Sequence, residues 1–245
     1  MKYIKPFNES TNTSEIEAIC EKYNITNYTI NEDGSIDVNG NVNLVNRQLK
    51  VLPLKFRNVN GFFNCGFNEL ITLEGAPQRV GGDFYCGDNQ LTSLMDCPQS
   101  VGGDFSCYDN QLTSLVGCPQ IIGGEFDCSD NNLTSLEGAP KRVGGIFWCY
   151  YNNLKNIDYL PKYYKELYIG DDPISKIIKL FTTSNEYGRI SNRENKDLIM
   201  DFIDREIIQQ DILLVNRLVE FLHDAGKPKY KEELIKLLKN DYTIR

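Results

Sequence analysis

The chain has 245 residues, 41 % of them apolar, enough to bury the core of one large domain with appendages. Its formal net charge of −8 argues against a nucleic-acid partner, because phosphate contacts need clustered Lys and Arg. There is no apolar run of the roughly 18 residues that a membrane span needs, and the opening MKYIKPFNES lacks an apolar signal segment, so a cytoplasmic protein that enters no membrane is expected.

Ser14 followed by Glu17 reads as a capping box opening a helix through about Tyr23. YTINEDGSIDV then reads as a hairpin around Asp33-Gly34. Residues 1–38 are therefore expected to form a helix and hairpin cap at the start of the next region.

That next region is a repeat. Shifting the chain on itself by 21 places Cys65, Cys86, Cys107, Cys128 and Cys149 in one column. Phe63, Phe84, Phe105, Phe126 and Phe147 form a second column, and Asn68, Asn89, Asn110, Asn131 and Asn152 a third. Two leucine columns, one continued by Ile157, and a proline column from Pro77 to Pro161 complete the unit. Alternation at Val80, Gly82, Phe84 and Cys86 predicts a short strand with one buried face. Asn89 stands where a turning chain needs amide hydrogen bonds to unpaired backbone, and stacked copies would form an internal ladder. Leu91 and Leu94 point inward again, and Pro98 marks the return. One such coil cannot bury these side chains alone, so coils must stack about 4.8 Å apart in a parallel sheet. Degenerate coils flank the clean ones: Val42, Leu44, Leu49 and Leu52 before them, Leu167, Ile169, Asp172, Ile174 and Ile177 after them. The expectation is an α/β repeat solenoid of about seven coils over residues 39–178.

The strings N-x-L-x-x-L and F-x-C-x-x-N-x-L resemble the leucine-rich repeat, with Phe84 and Cys86 in two of its leucine slots. The short period and the LTSL..CP return resemble the compact repeats of bacterial secreted effectors. DGSIDVNGNVNL, followed by LPLKF and the repeat itself, resembles leucine-rich repeat proteins of large tailed phages, over residues 28 to 178. The resemblance implies a parallel sheet on a concave face and a non-enzymatic role in binding a partner protein. With the phage likeness, the partner would be a host protein, such as a defence protein, that the chain inhibits or adapts. A virion or assembly component is the alternative, since MKYIKPFNES resembles the short leaders of many phage proteins. Some effectors with similar repeats carry a cysteine-dependent ubiquitin-ligase domain behind them; no Cys occurs after Cys149, so that activity is not implied.

From Pro173 the spacing changes to 3.6, with apolar positions at Leu198, Ile199, Phe202 and Ile203, then from Ile212 to Leu222, then from Leu234 to Leu238. Residues 179–245 read as amphipathic helices that cover the last coil, or as a separate module for a partner or for self-association.

The eight cysteines offer no zinc site, because no C-x-x-C occurs and His223 is the only histidine. They read as small core residues, without a disulfide or a nucleophilic role. No cofactor is implied. If Phe84 and Cys86 face inward, positions 83, 85 and 87 and their copies face outward, with position 88 following at the strand end. That face carries Asp83, Asp88, Asp104, Asp109, Glu125, Asp127 and Asp130, together with Tyr85, Tyr108, Trp148, Tyr150, Tyr151 and Tyr168. Residues 60 to 152 hold 11 acidic and 3 basic residues, so the chain's whole negative charge lies in the array. Two origins of this pattern are open. Duplication simply copied the acids, or the face docks a basic or mixed basic and aromatic partner that the acids steer and the aromatics anchor. Calcium is disfavoured by the absence of a D-x-D-x-D-G loop. An enzyme using these acids is disfavoured because an open sheet lacks the enclosed pocket that shifts a pKa.

Overall fold

In the computed structural model the described residues are 13–170, 172–182, 189–190, 193–209 and 212–245; the leader reading of MKYIKPFNES lies outside them. Helix α1 (Thr13–Lys22) buries Ile16 and Cys20, and Ser14 lies within it rather than ahead of it. Strands β1 (Tyr28–Ile30) and β2 (Ile36–Val38) form the expected antiparallel hairpin. Its turn uses Gly34 at φ +74°, and Asp33 Oδ1 accepts the Ser35 N–H at 3.0 Å. β2 also pairs in parallel with Phe56–Val59, so the hairpin is the first edge of a longer sheet and more than a lid.

Beyond it the chain winds into a β-solenoid of about six turns with a 21-residue period. Each turn gives a short strand to each of two parallel sheets. Arg79–Val80, Ser100–Val101, Ile121–Ile122 and Arg142–Val143 continue the first sheet, and Phe63–Asn64, Phe84–Tyr85, Phe105–Ser106 and Phe126–Asp127 lie in the second. Val42–Asn43 precedes these in the second sheet, and Ile146–Trp148 and Glu166–Tyr168 come after them. The single strand expected over Val80 to Cys86 is thus two strands of different sheets. Glycine pairs cause the break, because backbone packs on backbone there: a Cβ on Gly123 would stand 2.0 Å from the Gly102 carbonyl oxygen.

Between the sheets the repeat columns become ladders. Phe63, Phe84, Phe105, Phe126 and Phe147 are fully buried, with successive ring centroids 5.2 to 5.7 Å apart. The asparagine ladder forms as expected. Asn110 Nδ2 donates to the Cys86 and Cys107 carbonyls at 3.1 and 3.2 Å, and its Oδ1 accepts the Leu91 N–H at 2.9 Å. Asp172 takes over at the end of the stack, where Oδ1 accepts the N–H groups of Asn152 and Leu154, both at 3.1 Å.

Helix α2 (Pro173–Ile178) opens the last region, and Arg189–Ile190 adds an antiparallel strand beside Glu166–Tyr168. Helices α3 (Arg193–Asp204), α4 (Val215–Asp224) and α5 (Lys231–Leu238) obey the 3.6 spacing. The helical reading from Ile212 is corrected at its start. Ile212–Leu213 is a strand, paired with Ile208–Gln209 and Thr243–Ile244, because a short apolar run takes whichever pairing its neighbours offer. Phe181, Phe202 and Phe221 make the local core. This region packs on the end of the solenoid: Tyr242 Oη donates to the Lys155 carbonyl at 2.8 Å, and Lys196 Nζ to the Lys165 carbonyl at 2.6 Å. Among the described residues no helix is long and apolar enough to cross a membrane.

Candidate functional site: the outer face of the second sheet

The short strands of the second sheet turn one side chain in and the next out, and every sequence-predicted site residue lies on one of them or within three residues of it. The face separates into rows with different physical roles. Just ahead of two of these strands, the acid serves the backbone of the next coil. Asp83 Oδ1 accepts the Asp104 N–H at 2.9 Å, and Asp104 Oδ1 accepts the Glu125 N–H at 2.8 Å. Asn41 does the same for Phe62 at 3.0 Å, so a neutral amide suffices for this task. Tyr85 Oη donates to Asp83 Oδ2 at 3.0 Å, and burial, followed by that carboxylate, pushes the phenol up to about 12. Asp127 closes a local turn by accepting from the N–H of Ser129 at 3.0 Å and from its hydroxyl. Burial raises the Asp127 pKa against these bonds.

Past the strand, Asn46, Phe67, Asp88, Asp109, Asp130 and Tyr151 share a left-handed backbone, with φ between 49° and 55°. Asn and Asp visit this conformation readily, which gives Asp88, Asp109 and Asp130 a backbone reason to be there. They nevertheless form a column of like charges on adjacent coils. Burial, then the Asp88 charge, raises the pKa of Asp109; burial, then Asp109 and Asp88, raises that of Asp130. Burial and a hydrogen bond to Asp88 likewise raise Tyr108, whose ring lies over Gly87, where a Cβ would meet it at 2.5 Å.

The aromatic residues come together at the C-terminal end of this face. Trp148 and Tyr168 stack with centroids 4.0 Å apart, Tyr150 meets Trp148 edge-on at 6.1 Å, and Tyr151 meets Tyr150 at 4.9 Å. Glu125 Oε2 accepts the indole N–H at 3.0 Å and so fixes the Trp148 ring. Burial raises the Tyr150 pKa. Tyr151 stays 62 % exposed.

One residue escaped the site prediction. Phe67 occupies the same left-handed column, 55 % exposed, four coils before Tyr151. A second aromatic, besides Tyr151, in a column of Asn and Asp was the available signal. The face thus carries a line of aromatic, three aspartates and aromatic, about 19 Å long at strand spacing. Cys65, Cys86, Cys107, Cys128 and Cys149 turn to the inner side of this sheet, Cys97 and Cys118 lie in the return segments, and Cys20 lies in α1. All eight are buried free thiols. Burial pushes Cys65 and Cys97 up to about 12, far from a nucleophilic thiolate.

Compared with models of known families, with curated proteins and with solved structures, the chain matches none. Its class is the one its coils define, a β-solenoid with two parallel sheets.

Proposed function

We propose that this solenoid is a non-enzymatic binding scaffold. It docks a partner protein whose surface is basic with apolar projections on the outer face of the second sheet. The observation that carries the reading is Tyr151, an exposed aromatic held at φ +51°. A bulky L-residue in this region costs about 1–2 kcal/mol, and a ring this exposed returns only part of that through packing. Backbone strain retained at an exposed aromatic is a feature of functional surfaces. Tyr150, Trp148 and Tyr168 extend it into a ready anchor of the kind that dominates interfaces. Asp88, Asp109 and Asp130 beside it provide a negative line that steers and orients a cationic partner. Asp83, Asp104 and Asp127 are engaged by backbone groups, which favours binding over acid and base chemistry on this face.

The likeness to phage leucine-rich repeat proteins adds a finer reading to the proposal: the partner is a cytoplasmic host protein that the scaffold inhibits or redirects. The test compares affinity purifications from the host using wild type, Tyr151→Asn, and the double variant Asp109→Asn, Asp130→Asn. Asn keeps the left-handed backbone while removing ring or charge. Loss of the same basic partner in both variants is expected. Equal recovery at low salt with all three proteins overturns the reading.

A further inference from the structure

The opposite side of the solenoid carries a second surface of contrasting chemistry. An open groove of about 820 Å³ runs across three coils near residues 120–121, 138–142 and 159–163. Its floor is apolar and uncovered: Ile121 is 64 % and Tyr163 55 % exposed, with Leu160 and Pro140 beneath them. Lys141, Arg142 and Lys162 form the rim. Lys162 N–H donates to the Lys141 carbonyl at 3.1 Å, so the two lysines sit on adjacent coils in one column. Arg142 and Lys162 both lie over the Tyr163 ring, at 5.6 and 5.8 Å from its centroid.

Arg57 stands in the same column as Lys141 at the other end of the sheet, and there Asp37 meets it in an ion pair. Among the described residues no carboxylate pairs with Lys141, Arg142 or Lys162. Like charges on adjacent strands cost up to about 1 kcal/mol each. In a chain of net charge −8, three adjacent cations without acids over an exposed apolar floor are out of keeping with a merely solvated face.

We propose that this groove binds an extended acidic segment of a partner protein, with one aliphatic or aromatic side chain anchored on Ile121 and Tyr163 and flanking carboxylates on the three cations. Three coils span about 10 Å, the length of three extended residues, so an acid, anchor, acid triplet fits the rim and floor in register. The site lies on the first sheet and stands independently of the face proposed above.

Peptide display against the full chain at low salt tests it, with selected peptides measured by fluorescence anisotropy. Acidic peptides with a single apolar anchor should be enriched. Their affinity should fall about tenfold or more with Lys141→Glu, Lys162→Glu, and separately with Ile121→Ser, and stay unchanged with Asp109→Asn, Asp130→Asn. Basic peptides lost only in the aspartate variant would report on the second-sheet face, so each reading can fail alone. Failure to enrich acidic peptides, or equal binding to the groove variants, overturns the proposal. So does sedimentation of wild type as a concentration-dependent oligomer that the lysine variants dissolve, which would assign the groove to a second copy of the chain.

Discussion

Replacing Phe67 isolates the backbone argument on which the binding face rests. The ring sits at φ +55° and is 55 % exposed, and among the described residues no other ring stacks on it. Truncation forfeits something under half of the roughly 1.5–3 kcal/mol that full burial of such a side chain provides, about 1 kcal/mol. Phe67→Asn regains about 1–2 kcal/mol by placing a residue suited to the left-handed region, as Asn46 does one coil earlier. The net expectation lies between no change and a gain of about 1 kcal/mol. Phe67→Ala loses the ring without relieving the backbone, and should be about 1 kcal/mol less stable than wild type. Urea denaturation monitored by circular dichroism measures all three proteins. If Phe67→Asn is no more stable than Phe67→Ala, the column is not strained and the functional weight placed on Phe67 and Tyr151 falls with it.

The internal ladder should be far less tolerant. Asn110→Ala removes the acceptor of the Leu91 N–H and the donor to three carbonyls in a buried place, at a cost of about 3 kcal/mol by the same urea assay. The eight thiols should react with a disulfide reagent only after unfolding; rapid labelling of the folded chain would contradict their burial. Asp109 and Asp130 titrate above the ordinary carboxylate value of 3.8. An acid whose pKa is higher folded than unfolded binds its proton more tightly in the fold, so these two add stability as pH falls from their raised values toward 3.8. Thermal melts across that window should show a smaller gain for Asp109→Asn, Asp130→Asn than for wild type, whereas identical slopes would dismiss the like-charge column.

Periodicity determined most of this fold, because a 21-residue repeat leaves few ways to bury Phe, Cys and two Leu per coil. The inward columns, the asparagine ladder, the parallel stacking and the outward rows were all legible in the letters. So was the structural nature of the five ladder cysteines, which share the inward side with the phenylalanine column. The split into two sheets was not legible, because alternation at Val80, Gly82, Phe84 and Cys86 looks the same whether or not the chain bends at the glycines. Only the close approach of stacked backbones decides that. The strand at Ile212–Leu213 was hidden for a related reason: its partner Thr243–Ile244 lies about thirty residues away in the chain. The acids divide along the same line. Sequence placed them all on one face, and tertiary structure separated those that hold the next coil's N–H groups from the column fixed by a left-handed backbone. Direction and spacing come from the local repeat, whereas whether a carboxylate is engaged or available depends on which backbone group the neighbouring coil brings to it.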